Sequence, residues 1–191
     1  MNSRIIFLSL LLILSSFISS IRSEYVVTDY GIIGDAKTLN TTAIQNLIDQ
    51  VSDKGGGKII FPAGEFLSGS IELKDDIELF FEAEAVLLGS KNPFDYKKVV
   101  SKDTLTTRHN TALISAHLRK NIKLTGSGTV NGQGGYLALA LDSLYYSDPD
   151  AYFKISRSYN ERRKRPNEGG RPNLIFFNQS KNIKIKGITL K

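Results

Sequence analysis

The chain of 191 residues contains no cysteine and no tryptophan, a single methionine and only two histidines. Without cysteine it has no disulfide, no thiol nucleophile and no cysteine-ligated zinc, so its stability must come from packing. The histidines, His109 and His117, do not form the HExxH pattern of zinc hydrolases. We therefore expect no metal ion and no other cofactor.

The excess of positive charge is small. Lysine and arginine together number 25, aspartate and glutamate 19, which gives a formal net charge of +6. Proteins that bind nucleic acid show a denser basic footprint on one face. The composition therefore gives no reason to expect a nucleic-acid partner.

Residues 1–23 have the composition of a secretory signal peptide. Arg4 precedes an almost wholly apolar run over residues 5–14, and a series of small serines follows up to Ser23. The run is shorter than the ~20 apolar residues that a membrane span needs. We expect cleavage near Ser23 and a secreted mature domain over residues 24–191, extracellular or periplasmic and without a stable membrane anchor. Retention of the segment as an anchor is the alternative.

One amphipathic helix is predicted over about residues 40–53. Asn40 or Thr41 supplies a side-chain oxygen of the kind that caps the first turn of a helix. Five apolar residues then recur at helical spacing: Ala43, Ile44, Leu47, Ile48 and Val51. The three glycines at 55–57 end the helix, because glycine enters left-handed conformations at little cost.

An internal repeat dominates the remainder of the chain. The segment KNIKLTG at 120–126 returns as KNIKIKG at 181–187, an offset of 61, and a weaker copy, DIEL, stands at 76–79. Repeats of short strands predict a β-solenoid, whose coils take about 20–30 residues, and a β-sandwich is the alternative. An offset of 61 then requires an insertion within one coil, which we place as a loop at about 135–172. Ile122 and Ile183 are predicted to face inward on parallel strands of neighbouring coils.

Several blocks resemble a known family. These are YGIIGD at 30–35, GGGKIIFPAG at 55–64, LTGSGTVNGQG at 124–134 and RPNLIFFN at 171–178. They are similar to the N-terminal part of glycoside hydrolase family 28, the polygalacturonases of the pectin lyase-like β-helix superfamily. The resemblance implies an all-β fold, a right-handed single-stranded parallel β-helix with an N-terminal capping helix. It also implies hydrolysis of pectic polygalacturonate by a protein that is monomeric at full length.

The catalytic motifs that the resemblance implies are not found in this sequence. Inverting hydrolysis needs one carboxyl group to protonate the leaving oxygen and another to activate water. The family places aspartates in Asn-Thr-Asp and Gly-Asp-Asp contexts, but here Asn110-Thr111 is followed by Ala112, and Asp75-Asp76 is typical of a turn before a strand. We expect no catalytic residue in this chain, and an inactive fragment truncated at its C-terminus. A non-catalytic polysaccharide-binding or structural β-helix, or a lyase-type β-helix, are the alternatives.

A basic cluster in the insertion is the predicted substrate-binding feature. It consists of Arg162, Arg163, Lys164 and Arg165, preceded by Arg157, with Glu161 as the one acid among residues 157–165. Arginine pairs with carboxylates through two parallel hydrogen bonds, and pectic polymers are anionic. A solvated loop is the alternative.

Replacing all four of Arg162–Arg165 by glutamine should weaken binding of polygalacturonate and flatten its dependence on salt, because screening acts on charge–charge attraction. Affinity measurements over a series of salt concentrations check this prediction. An unchanged affinity and an unchanged salt slope would identify the cluster as a solvated loop.

Overall fold

The computed structural model describes residues 23–97, 111–155 and 171–191. The predicted signal peptide, except its last residue, and the Arg162–Arg165 cluster lie outside these residues, as does His109. Among the helices of the described part, none is long and apolar enough to cross a membrane.

The described residues form three helices and twelve short strands, with 3-10 turns at Val27–Tyr30 and Pro93–Asp95. The helices are α1 (Thr41–Asp53), α2 (Gly134–Ser147) and α3 (Pro149–Ile155). The strands are β1 (Glu24–Val26), β2 (Gly57–Phe61), β3 (Gly64–Ser68), β4 (Ile71–Glu72), β5 (Ile77–Phe81), β6 (Ala85–Gly89), β7 (Ala112–His117), β8 (Lys123–Gly126), β9 (Thr129–Asn131), β10 (Asn173–Asn178), β11 (Lys184–Lys186) and β12 (Thr189–Leu190).

The strands form three parallel sheets that the chain visits in turn. Sheet A has the order β1-β2-β5-β8-β11, sheet B the order β3-β6-β9-β12, and sheet C the order β4-β7-β10. From β2 onwards the chain passes from sheet A to sheet B to sheet C and back to sheet A, and each circuit stacks one coil on the last. This is the predicted parallel β-helix, which the structure confirms.

The repeat of 61 residues is also confirmed in the strand register. Ile185 lies opposite Leu124 in sheet A, and Ile175 lies opposite Ile114 in sheet C, both at an offset of 61. Where no insertion intervenes, the coil is much shorter, since Ile59 lies opposite Leu79 at an offset of 20. The remainder of the longer offset is therefore inserted chain.

A ladder of polar side chains fixes the corner before sheet A. Asp76, Asn121 and Asn182 occupy equivalent positions and all adopt positive φ angles, of 62°, 59° and 54°. Asn121 Nδ2 donates to Asp76 Oδ1 at 2.7 Å, and Asn182 Nδ2 donates to Asn121 Oδ1 at 2.9 Å. Asparagine and aspartate tolerate this left-handed backbone better than other non-glycine residues. The ladder explains why the repeat carries an Asn or Asp before its isoleucine.

Helix α1 covers the first coils with the apolar face that its sequence predicts. Ile44, Leu47, Ile48 and Val51 are all buried against the core. Inside the coils, side chains stack on their equivalents, as when the rings of Phe61 and Phe81 lie 4.9 Å apart. This stacking of like on like removes apolar surface from water along the whole solenoid.

The predicted capping of α1 is wrong. The Asn40 side chain does not bond to the first turn; its Oδ1 accepts from Ile33 N at 2.9 Å, and its Nδ2 donates to Ile33 O and Thr38 O. Thr41 Oγ1 instead accepts from Gly69 N at 2.7 Å, which lies after β3. Both side chains therefore tie the start of α1 to neighbouring chain.

The pairing predicted for Ile122 and Ile183 is confirmed, since the strands that follow them, β8 and β11, are parallel neighbours at the offset of 61. Ile122 is buried, whereas Ile183, in the last described coil, is 40% exposed. One further expectation needs correction. The inserted segment predicted as a loop at 135–172 contains α2 and α3. Helix α2 has apolar residues on every side, buried at Leu137 and Leu141 and exposed at Leu139, so it lacks the single stripe by which an amphipathic helix is found.

Gly126 provides a direct test of coil stacking. Its φ is +114°, and an added Cβ would overlap the carbonyl oxygen of Phe81 on the coil below. We expect Gly126→Ala to lower the free energy of unfolding by about 2 kcal/mol or more, from strain and from the forced separation of coils. Gly134→Ala is the matched control, because a Cβ there meets no atom within 4 Å. Equal unfolding midpoints in denaturant for the two variants would contradict the stacking account.

Candidate functional site

A polar groove lies between helix α1 and the outer face of sheet C. It encloses about 470 Å³. Helix α1 contributes one wall, β4 and the residues around it another, and the end of β7 the floor. The lining residues are Thr41, Thr42, Gln45, Asn46, Asp49, Ser70, Ile71, Glu72, Lys74, Lys97, Ser115, His117 and Arg119.

The Gln45 side chain holds α1 against β4, the outermost strand of sheet C among the described residues. Gln45 Oε1 accepts from Glu72 N at 2.8 Å, and Gln45 Nε2 donates to Glu72 O at 3.0 Å. The amide thus pairs with the strand as a neighbouring strand would, which satisfies backbone groups that an edge leaves open. This contact fixes the width of the groove.

Strand β7 supplies the floor through its alternating side chains. Ile114 and Ala116 are buried in the core, whereas Ser115 and His117 point to the groove on the opposite face. Ser115 Oγ donates to Ile71 O at 3.2 Å, which joins the floor to β4. Arg119 follows two residues after His117 and continues the same side.

Charged groups of both signs face one another across the groove. Glu72 Oε1 lies 3.3 Å from Arg119 Nη2 and 4.0 Å from Lys74 Nζ, and Lys74 Nζ lies 3.9 Å from Asp49 Oδ1. These side chains are between 29% and 46% exposed, so each pair adds little to stability. Their effect is to line the groove with groups suited to hydroxyls and anions.

Two nitrogens in the groove have no hydrogen-bond partner among the described residues. His117 Nδ1 and Arg119 Nε are both shielded from solvent, and both residues line the cavity. Native proteins leave few buried polar atoms unpaired, and each such atom points to strain, to a functional role or to a bound water or ion.

Sequence reasoning located little of this groove. It considered His117 only as a zinc ligand, whereas the structure places it at the end of β7 in the groove. The predicted turn at Asp75-Asp76 is confirmed, with Asp75 Oδ1 accepting from Lys120 N at 2.9 Å. The Arg162–Arg165 cluster lies outside the described residues, so its relation to the groove stays a prediction. The described part holds no cluster of three His, Cys, Asp or Glu residues arranged for a metal ion.

Three parallel sheets, a capping helix and a polar groove along one sheet define the chain as a parallel β-helix protein. The family model described as rhamnogalacturonase A/epimerase, pectate lyase-like, matches residues 25–140, more than half of the chain. The protein belongs to this family.

Curated relatives agree with this assignment. The chain is 31% identical over 119 residues to a probable polygalacturonase of Vitis vinifera and 37% identical over 117 residues to an exo-poly-alpha-D-galacturonosidase of Dickeya chrysanthemi. A shorter match, 40% over 68 residues, joins it to alginate lyase 7 of Azotobacter vinelandii. The aligned stretches cover 57%, 56% and 35% of this chain but only 24%, 19% and 8% of those relatives.

A solved structure extends the likeness to most of the chain. The family 28 exopolygalacturonase of Yersinia enterocolitica superposes with a TM-score of 0.72 at 27% identity, covering 90% of this chain and 35% of that one. The predicted resemblance to the N-terminal part of the family 28 polygalacturonases is thereby confirmed.

The Gln45 contact predicts a measurable effect on the groove. Gln45→Ala removes both hydrogen bonds to Glu72 and leaves the edge of β4 unpaired, so we expect a loss of about 1–3 kcal/mol in the free energy of unfolding. Hydrogen exchange at the Glu72 amide should also accelerate. Asn46→Ala, an exposed neighbour whose side chain forms no hydrogen bond among the described residues, is the control and should stay within about 0.5 kcal/mol. Unchanged protection of the Glu72 amide in Gln45→Ala would contradict this role.

Proposed function

We propose that this chain serves the breakdown of acidic pectic polysaccharide, as part of a secreted polygalacturonase-type glycoside hydrolase. The observation that carries the proposal is the groove on sheet C, in a chain of the rhamnogalacturonase A/epimerase family with polygalacturonase relatives. Hydroxyl, amide and charged side chains line that groove. This lining suits a hydroxylated and anionic polymer better than an apolar ligand.

The groove binds polysaccharide in this proposal but does not cleave it. Two carboxyl groups must flank the scissile bond, one to protonate the leaving oxygen and one to act on water or on the sugar. The two groove carboxylates are already engaged, since Glu72 contacts Arg119 and Lys74, and Asp49 accepts from Gln45 Nε2. In the described residues, neither carboxylate faces a second carboxyl group that is free of such contacts. The chemistry therefore requires carboxylates other than these two.

The Arg162–Arg165 cluster belongs to the same proposal as a second contact for the anionic polymer. In the sequence it falls in the insertion between β9 and β10, outside the described residues. Its four positive charges would add to those that Lys74, Lys97 and Arg119 bring to the groove.

The mature chain, residues 24–191, should bind polygalacturonate but release no reducing ends from it. Loss of both carboxyl functions removes general acid and base catalysis, each typically worth ~10²-fold or more. Affinity electrophoresis in polygalacturonate measures retention, and a reducing-sugar assay measures turnover. Turnover that a single Asp or Glu substitution within residues 24–191 abolishes would show that a catalytic site exists here and would overturn the proposal.

A lyase-type function is the second candidate, and the alginate lyase match favours it. Lyases leave an unsaturated sugar at the new end of the chain, whereas hydrolases do not. Ultraviolet absorbance of that product, with alginate and polygalacturonate offered in parallel, separates the two candidates.

A further inference from the structure

We propose that Arg119 and His117 form a carboxylate-recognition position in the groove, by which the protein selects uronic-acid polymers over neutral glycans of the same shape. This inference rests on the proposed function, because it assumes that a polysaccharide occupies the groove. It assigns the choice of substrate to two residues that the sequence did not single out for it.

The unpaired Arg119 Nε is the first support. An arginine Nε always carries a hydrogen and can never accept, so only an acceptor can satisfy it. No acceptor for it is present in the described residues. The side chain lines the groove and is 32% exposed, which allows the small movement that a ligand oxygen needs to reach it.

The rest of Arg119 is held in place at both ends. Its backbone N donates to Ser180 Oγ at 3.2 Å, and its Nη2 donates to Glu72 Oε1 at 3.3 Å. Glu72 is in turn fixed through its backbone by Gln45. A guanidinium ordered in this way loses less freedom when it binds a carboxylate, and planar pairs of this kind are the strong ones.

His117 supplies a second nitrogen in the same lining. Its Nδ1 is shielded and unpaired among the described residues, like Arg119 Nε. With a hydrogen on Nδ1 the ring would donate to a ligand oxygen, as Arg119 Nε does. A sugar hydroxyl offers weaker, uncharged hydrogen bonds.

The charges around the groove favour an acidic sugar on this side. Lys74, Lys97 and Arg119 stand against Asp49 and Glu72, an excess of one positive charge before His117 is counted. The α1 wall opposite presents the Thr42 hydroxyl and the Asn46 amide, whereas the Thr41 hydroxyl and the Gln45 amide already bond to the neighbouring chain. The groove thus has one side for hydroxyl groups and one for a carboxylate.

The test compares two ligands that differ only at C6, a galacturonan oligomer and the same oligomer with each carboxylate reduced to a hydroxymethyl group. Calorimetry on the chain should show that Arg119→Gln weakens galacturonan binding about tenfold and leaves the reduced oligomer unaffected. Arg119→Lys, which keeps the charge but loses Nε, should recover only part of the loss. Lys120→Gln, an exposed neighbour with the same change of charge, should alter neither affinity.

Two further results decide between recognition and mere support of the fold. If Arg119 acts only by bracing Glu72, then Glu72→Gln will reproduce the loss seen in Arg119→Gln; recognition predicts that Glu72→Gln keeps or strengthens galacturonan binding. Equal weakening of both oligomers by Arg119→Gln, or no weakening, overturns the assignment and leaves the proposed function standing. Failure of the unsubstituted chain to bind either oligomer overturns both.

Discussion

In-register stacking of parallel coils is the constraint on which the rest of the structure depends. Each strand pairs with the equivalent strand of the next coil, so a residue suited to one coil must suit the position above and below it. Phe61 stacks on Phe81, and Gly126 passes so close to the backbone of Phe81 that no side chain fits. In sheet B the offset falls to 60, with Leu190 opposite Val130, because one residue fewer separates Gly187 from Thr189 than separates Gly126 from Thr129. The residue is therefore lost from the corner between sheets A and B, and the strands keep their register.

The stacking also determines where the chain can carry additional residues. Both long insertions leave between sheets B and C, one from β6 to β7 and one from β9 to β10. They pack on each other there, with Lys91 Nζ 4.1 Å from the ring centre of Tyr136. Within the first insertion, the Tyr96 hydroxyl donates to Ser90 O. Burial of Tyr96, helped by the nearby charge of Asp95, raises the pKa of its hydroxyl, which therefore stays protonated. The outer face of sheet C is consequently the one bordered by added structure, with α1 at one end.

The solenoid could be predicted from the sequence, because stacked coils need similar residues at equivalent positions and so produce a sequence repeat. The 61-residue offset follows from comparing the copies of the repeat, and the Asn or Asp before each isoleucine and the amphipathic face of α1 follow from local pattern. The groove could not be found in this way, since its walls come from Gln45, Glu72 and Arg119, which lie far apart in sequence and meet only through the fold. The helices in the insertion could not be predicted for another reason. Helix α2 buries Leu141 on one side and exposes Leu139 and Tyr146 on others, so its apolar residues show no single helical period. Asparagine is a favoured capping residue, so the sequence predicts a cap at Asn40. In the fold, the Asn40 side chain instead forms hydrogen bonds with the backbone of Ile33.

The central claim is that sheet C and α1 together form the polysaccharide-binding surface. Nuclear magnetic resonance of the chain, titrated with a galacturonan oligomer, tests it most directly. The account predicts that the largest shifts fall on the Gln45 side-chain amide, the backbone amides of Ser115 and His117, and the Arg119 Nε–H, with little change along the outer face of sheet A at Lys58 and Lys123. Shifts centred on sheet A, or on the exposed side of α2 around Tyr136 and Leu139, would contradict it.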